Sequence, residues 1–318
     1  MLRYLGNRLL YAIPTVTCVV FAVFLLLHLI PGDPAQVMLG VGASEQDLVA
    51  LREKLGLDRP LVIQFSRYAT GVLRGDLGDS FAYRKEVLRV ILERLPATLE
   101  LTFAAMALAC GTGIPLGVEA AIRRRSSFDL LCRVIALMGV SFPVFWLAIQ
   151  LMYLFAVTIP LLPLSGRGGP VYTWSGVRHL LLPAVALSTI MLPSTMRLTR
   201  SSMLEVLGQE YVRVARSKGL RELVVIYKHA FRNAILPVVT NIGLQFGMLL
   251  GGAFLTEHVF AWPGIGQLTV NAIFRRDFPL VQGVILVTAL AFFLVNLGVD
   301  VSYAYLDPRV RREMSERV

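Results

Sequence analysis

The sequence predicts an all-α integral membrane protein with six transmembrane helices and a small extramembrane lobe between the first two spans. Hydrophobic residues make up 56% of the 318 residues and charged residues only 16%, whereas soluble domains are about 25% charged. The mean hydropathy is +0.66. Several uncharged runs approach or exceed the roughly 20 apolar residues that a helix needs to cross a bilayer.

Six segments are candidate spans, and none carries a Lys, Arg, Asp or Glu. They are residues 12–30, 101–118, 134–160, 180–196, 233–256 and 278–299. The fourth is short and is interrupted by Pro183 and Pro193, and Pro143 lies within the third. Prolines are tolerated in spans when neighbouring groups satisfy the freed carbonyls. No small-residue cleavage site follows the first run, so we expect a retained span rather than a signal peptide.

The distribution of basic residues predicts the orientation. Six spans place both termini on one side, and that side holds 18 of the 31 Lys and Arg residues. The opposite side holds the other 13, nine of them in the long segment 31–97, which also carries nine acidic residues. Long loops count little in the positive-inside rule. Both termini are therefore expected to be cytoplasmic. The net charge of +10 then reflects topology and predicts no nucleic-acid partner.

Segment 31–97 is then extracytoplasmic. Residues 31–34 contain two prolines and are expected to break the first helix at the membrane surface. Ser44 is a helix cap ahead of apolar residues on one helical face, Leu48, Leu51 and Leu55. Residues 75–78 read Gly-Asp-Leu-Gly, which predicts a turn. This lobe is too small to be an independent enzyme domain.

Motifs for catalysis, metals and nucleotides are missing from the sequence. It contains no Gly-x-x-x-x-Gly-Lys-Ser/Thr phosphate loop, no His-Glu-x-x-His, no Gly-x-Ser-x-Gly and no Cys-x-x-Cys. The four histidines are scattered, and the three cysteines lack paired spacing and read as small hydrophobic residues. We therefore expect no enzyme activity, no cofactor and no metal site.

The basic segment 209–237 lies between two apolar runs and must therefore return to an aqueous compartment. As a helix it places Tyr211, Val214, Ala215 and Lys218 on one face, and Gly219 ends it. Two interpretations stand about equally. The helix docks in a groove of another protein, with Tyr211 as an anchor and the small Ala215 allowing close approach. Alternatively, it is a basic loop resting on lipid head groups.

Ala215-x-x-x-Gly219, followed by Ile-Leu-Pro at 235–237, resembles the cytoplasmic-loop signature of permease subunits in bacterial ABC importers. The residues Tyr-Val-Arg-Val-Ala-Arg-Ser-Lys-Gly at 211–219 are similar to the dipeptide/oligopeptide/nickel branch, although Arg213 and Val214 replace the Glu-Ala of the wider group. Further stretches match the first permease of this branch, at residues 29–34, 55–60, 75–78, 95–101, 260–264 and 306–309.

The resemblance implies a type I ABC importer permease fold. Residues 1–95 would form the first transmembrane helix and periplasmic lobe, 96–305 the core with five spans, and 306–318 a cytoplasmic tail. It also implies a coupling helix, placed in a groove of a cytoplasmic ATPase, with the residues Glu210, Tyr211, Val214, Ala215, Lys218 and Gly219. The implied partners are the bilayer of the bacterial inner membrane, a homologous second permease, two ABC ATPases and a periplasmic or lipid-anchored binding protein.

The function implied by the resemblance is ATP-driven import of di- or oligopeptides, with a nickel chelate or glutathione as alternative cargo. Ser141, Asn241 and Gln245 are polar residues within spans and are candidates to line the pathway. Hydrogen bonding between helices explains them at least as well. Pro143, Pro183 and Pro193 are candidate flexible points. A secondary transporter is the alternative of another class, but it would need inverted repeats and ionisable groups at the midplane.

Overall fold

Helices form most of the computed structural model, which describes residues 2–29, 34–40, 42 and 44–306. The first elements in chain order are α1 (Leu2–Leu29), α2 (Pro34–Leu39), α3 (Glu45–Leu55), α4 (Leu61–Leu73), β1 (Asp79–Ser80) and β2 (Lys85–Glu86). The two strands pair antiparallel. Long helices follow: α5 (Val87–Ile122), α6 (Ser127–Ser141), α7 (Val144–Met152) with a π-helical continuation (Tyr153–Thr158), and α8 (Trp174–Leu207).

The remaining elements are α9 (Glu210–Ser217), α10 (Glu222–Val224), a π-helical segment (Val225–Phe231), α11 (Arg232–Gly252), α12 (Phe254–Val259), α13 (Ile265–Phe274) and α14 (Phe278–Leu306). The chain divides into two compact units. The first unit comprises Met1–Thr98 and Pro263–Phe293, and the second comprises Leu99–Trp262 and Leu294–Val318.

Local sequence signals account for the elements between α1 and α5. Ser44 Oγ accepts a hydrogen bond from the Asp47 N–H at 3.1 Å, which confirms the predicted cap of α3. Asp76 Oδ1 accepts from the Gly78 N–H at 2.9 Å within the predicted turn. The expected helix break at 31–34 lies mostly outside the described residues, as does the tail 307–318.

The core of the first unit lies among the start of α5, α13 and the start of α14. It contains buried aliphatic side chains such as Ile91, Leu268 and Leu280. The buried Asp277 carboxylate accepts hydrogen bonds from Ser80 Oγ at 2.5 Å and from the Ala82 N–H at 3.0 Å. These bonds hold the β-hairpin on the corner between α13 and α14.

The second unit is organised around α8. Gly117 of α5 lies so close to it that a Cβ at this position would be 2.6 Å from the Met196 carbonyl oxygen and 2.7 Å from Thr199 Cβ. Small residues permit such close helix crossings in membrane proteins. The sequence predicted a short fourth span at 180–196, whereas α8 is continuous over 34 residues. Pro183 and Pro193 are buried within it, and prolines are tolerated in spans when neighbouring groups satisfy the freed carbonyls.

Three described helices are long and apolar enough to cross a membrane, namely Val87–Ile122, Trp174–Leu207 and Phe278–Val299. They include the second, fourth and sixth predicted spans. The third predicted span is two helical pieces, Ser127–Ser141 and Val144–Thr158, that meet at 100°. Phe142 is extended (φ −96°, ψ 134°) because proline disfavours helical backbone in the residue before it. The first and fifth predicted spans fall largely on α1 and α11.

Candidate functional site

The candidate coupling segment is α9, which follows α8 after a short bend. Its N-cap residue Gln209 is extended (φ −73°, ψ 151°), with Glu210 in the first turn and Arg216 in the last. These charges suit the positive N-terminal and negative C-terminal ends of the helix dipole. Gly219 has φ +75°, and no atom lies within 4 Å of a Cβ built there. Glycine is therefore needed for the left-handed backbone rather than for space.

One narrow face of α9 is buried against the same chain. Val212 is fully buried and Ala215 is 7% exposed, and both cluster with Val225 of the π-helical segment and with Leu207 at the end of α8. The small side chain of Ala215 lets α9 pack closely on the chain that follows it. That Ala215 also allows a partner to approach stays a prediction.

The neighbouring face of α9 is open to solvent. Tyr211 is 43% exposed and Val214 is 50% exposed, and Lys218, one turn further, is also exposed, as is Glu210. The structure thus brings Tyr211, Val214 and Lys218 to one surface and leaves Ala215 at its inner edge. This surface of α9 is partly apolar and partly charged, because it combines an aromatic ring, a valine and a cation.

Tyr211 also contacts the start of α11. Asn233 Nδ2 donates a hydrogen bond to the Tyr211 hydroxyl oxygen at 2.8 Å. This bond ties the exposed face of α9 to the helix that carries the fifth predicted span. No sequence pattern singles out Asn233, which lies 22 residues from Tyr211.

An exposed ion pair closes the turn after α9. Arg216 Nη2 donates to Glu222 Oε1 at 2.6 Å, and Arg216 Nε donates to both carboxylate oxygens at 3.1 and 3.2 Å. These hydrogen bonds lower the pKa of the Glu222 carboxyl and raise the pKa of the Arg216 guanidinium. The pair links the last turn of α9 to α10 across Gly219.

A second, buried ion pair joins α6 to α8 and was missed by the sequence analysis. Arg200 Nε and Nη2 donate to Asp129 Oδ1 and Oδ2 at 2.6 and 2.9 Å, and Asp129 is 1% exposed. The same carboxylate accepts the Arg125 N–H at 3.1 Å. The only sequence signal was an acid in one predicted loop region and a base in another.

The three polar residues predicted within spans have different environments. Ser141 is exposed, and its hydroxyl donates to the Leu137 carbonyl of its own helix at 2.8 Å. Gln245 Nε2 on α11 donates to Ser194 Oγ on α8 at 2.7 Å, which is a bond between helices. Asn241 Nδ2 is buried and finds no hydrogen-bond partner among the described residues. Asn241 and Gln245 lie one helical turn apart on α11, and Ser141 is the last residue of α6.

Comparison with protein families gives two matches that together span most of the chain. Residues 113–312 match the model for the binding-protein-dependent transport system inner membrane component. Residues 1–102 match the model for the N-terminal part of such membrane components. The N-terminal match covers the first helix and the segment that precedes most of α5.

Several curated relatives resemble the chain from end to end. The dipeptide transport system permease proteins DppB of Alkalihalophilus pseudofirmus and Escherichia coli K12 are each 44% identical over 98% of this chain and 100% of their own length. The glutathione transport system permease protein GsiC of Salmonella paratyphi A is also 44% identical, over 98% of this chain and 99% of its own.

A solved structure shares the fold. The MetNI methionine ABC transporter, in an inward-facing conformation, aligns with a TM-score of 0.56, with 15% sequence identity, over 69% of this chain and 96% of the matched chain. Together with the relatives, this match confirms the predicted ABC importer permease type and the expectation that the chain is a transport subunit rather than an enzyme. The chain belongs to the family of binding-protein-dependent transport system inner membrane components.

Proposed function

We propose that this chain is the first of two transmembrane subunits in an ATP-driven importer of short peptides. The observation that carries the proposal is 44% identity to dipeptide permeases over 98% of the chain. The equal identity to a glutathione permease supports the same cargo class, because glutathione is itself a small peptide with free carboxylates. A nickel chelate remains the alternative cargo from the sequence resemblance.

The proposed topology has six spans in the bacterial inner membrane and both termini in the cytoplasm. Support comes from the helices found at all six predicted positions and from the concentration of Lys and Arg around α9 and α10. The elements between α1 and α5 would then form the extracytoplasmic lobe, where a binding protein delivers its cargo.

Partner subunits are also part of the proposal. An ATP-driven importer needs an ATPase, and this sequence carries no phosphate-binding loop, so two separate ABC ATPases would supply the energy. Exposed aliphatic side chains line α6, including Leu130, Leu137 and Val140. This surface would be covered by lipid and by the homologous second permease.

The exposed face of α9 is the proposed contact with an ATPase, formed by Tyr211, Val214 and Lys218. Its buried face, Val212 and Ala215, rests on Val225 at the base of the segment that leads into α11. Movement of α9 would therefore be passed to α11 through packed side chains. The Tyr211–Asn233 hydrogen bond provides a second connection.

Transport of peptides is tested with the complete transporter in proteoliposomes that contain ATP. We expect ATP-dependent uptake of a labelled dipeptide, and competition with glutathione identifies the preferred cargo. Uptake of neither compound, with an intact assembly and several candidate binding proteins, would contradict the proposed function.

The coupling role is tested with Val214→Glu, which places a charge on the exposed face of α9. We expect at least about a tenfold loss of uptake and of ATPase stimulation, because a buried unpaired charge at an interface is costly. Glu205→Gln is the control, since Glu205 is an exposed residue at the end of α8. Equal activity of both variants would contradict this placement of the ATPase.

A further inference from the structure

A cavity of about 300 Å³ lies within the first unit, between α4, the turn that precedes it, residues 76–81 and the start of α14. Its size falls at the lower end of the range for small-molecule sites. Aromatic and aliphatic side chains form part of the wall, including Phe24, Ile63 and Phe81. Charged side chains also line it, which distinguishes it from a packing defect in an apolar core.

Two guanidinium groups line the cavity, those of Arg59 and Arg67. Neither side chain makes an ion pair or hydrogen bond within the described part of the chain. The turn that carries Arg59 is nevertheless well held, because Gln64 Nε2 of α4 donates to the carbonyls of Leu57 at 3.1 Å and Arg59 at 2.7 Å. The backbone is thus organised while the positive charges remain available.

The Tyr68 hydroxyl adds a neutral polar group to the same cavity. It is buried and has no hydrogen-bond partner among the described residues. Burial raises the pKa of Tyr68 to about 12, so the hydroxyl keeps its proton at neutral pH and can donate. Its ring lies 6.0 Å from that of Phe24. Buried hydroxyls normally find a partner, so a ligand that accepts a hydrogen bond would satisfy this one.

Asp76 supplies the opposite charge. One oxygen, Oδ1, accepts from the Gly78 N–H, which orients the carboxylate in its turn. The other oxygen has no partner among the residues that the structure describes. Asp79 also lines the cavity. The cavity therefore offers cations, a hydroxyl donor, two carboxylates and aromatic rings together. A purely anionic phospholipid headgroup would use the cations and be repelled by Asp76, whereas a zwitterion uses both.

We propose that this cavity binds a short peptide with free termini. Its carboxylate would pair with Arg59 and Arg67 and accept from Tyr68, its amino group would pair with Asp76, and an apolar side chain would lie against Phe24 and Phe81. The ligand class rests on the proposed function in peptide import. The site would hold peptide on the lobe of the permease itself, separately from the binding protein.

The test uses the assembled transporter in nanodiscs without a binding protein, and tritiated alanyl-phenylalanine as the probe. We expect saturable binding, and at least about a tenfold weaker affinity for Arg67→Gln through loss of a charge-assisted hydrogen bond. Tyr68→Phe should weaken binding about fivefold. Arg74→Gln is the matched control, because Arg74 follows the same helix, is exposed and lies outside the cavity. The peptide amide should compete poorly.

Three results would overturn the inference. They are no binding to the wild type, equal binding by Arg67→Gln and Arg74→Gln, and displacement of the dipeptide by its amide as effectively as by itself. Phosphatidylglycerol retained by the wild type and lost from Arg67→Gln, without peptide binding, would identify a lipid site instead. Uptake by proteoliposomes is measured in parallel with a binding protein. If peptide uptake is intact but Arg67→Gln binds the dipeptide as well as Arg74→Gln does, this inference alone is rejected. If uptake is absent, the proposed function is rejected.

Discussion

Two ion pairs in the second unit use the same chemistry in opposite environments. Asp129 and Arg200 are joined by two hydrogen bonds, and the carboxylate is 1% exposed. Arg216 and Glu222 are joined as closely, yet both side chains are about half exposed. The first pair links α6 to the C-terminal part of α8, and the second links α9 to α10.

The difference in burial means that the Asp129–Arg200 pair matters more for the stability of the fold than the Arg216–Glu222 pair. Removing one partner of a buried pair leaves an uncompensated charge away from water, which is strongly destabilising. An exposed pair contributes little, because water and salt screen both charges. We infer that the α6–α8 junction is held more rigidly than the junction between α9 and α10.

The largest expected effect follows from Asp129→Asn. The variant leaves the Arg200 guanidinium without its carboxylate, and we expect a loss of about 3–5 kcal/mol in the free energy of unfolding. Thermal unfolding of the purified transporter in detergent measures it as a lowered Tm. Replacing both residues with apolar ones, as in Asp129→Leu with Arg200→Met, should recover much of the loss. A Tm unchanged in the single variant would contradict a rigid joint.

The features of α9 that depend on local chemistry could be predicted from the sequence. A Gly-ended basic helix was predicted from spacing alone, and Gly219 does have the left-handed backbone that ends it. Of the residues on the predicted helical face, Tyr211, Val214 and Ala215 lie within α9, and Lys218 is its C-cap residue. Which side of this helix is buried depends on contacts with Val225 and Leu207, and no pattern within the helix specifies those contacts. The burial of Ala215 against its own chain could therefore not be predicted from the helix alone.

Long-range pairs were beyond prediction for a related reason. Asp129 and Arg200 are 71 residues apart, and many other acids and bases lie in the same predicted loops. Only the packing of α6 on α8 selects this combination. The lobe cavity is similar, because α1, α4 and α14 each contribute one part of its wall. The hydrophobic pattern, by contrast, located the helices because burial in lipid acts on each segment independently.

An intermediate effect is expected for Tyr211→Phe, which removes the hydroxyl that accepts the Asn233 amide proton. The aromatic ring and the exposed surface of α9 remain. One partly exposed hydrogen bond contributes about 0.5–1.5 kcal/mol, so Tm should change little. If the bond couples α9 to α11, the ratio of peptide taken up to ATP hydrolysed falls. Tyr227→Phe is the control, since Tyr227 is an exposed tyrosine in the adjacent π-helical segment. The same ratio in both variants would contradict a coupling role for this bond.

The smallest effect concerns the exposed pair. Because Arg216 lowers the pKa of Glu222 in the folded protein, the pair stabilises the fold above the ordinary carboxyl pKa of 4.5. That contribution is lost as the pH falls through the lowered pKa. We expect wild type and Glu222→Gln to differ by less than about 1 kcal/mol at pH 7. The difference should shrink below about pH 4.5 and also in high salt at neutral pH. Thermal unfolding of both proteins across pH measures it, and a constant difference would show that Glu222 stabilises the turn by packing rather than by charge.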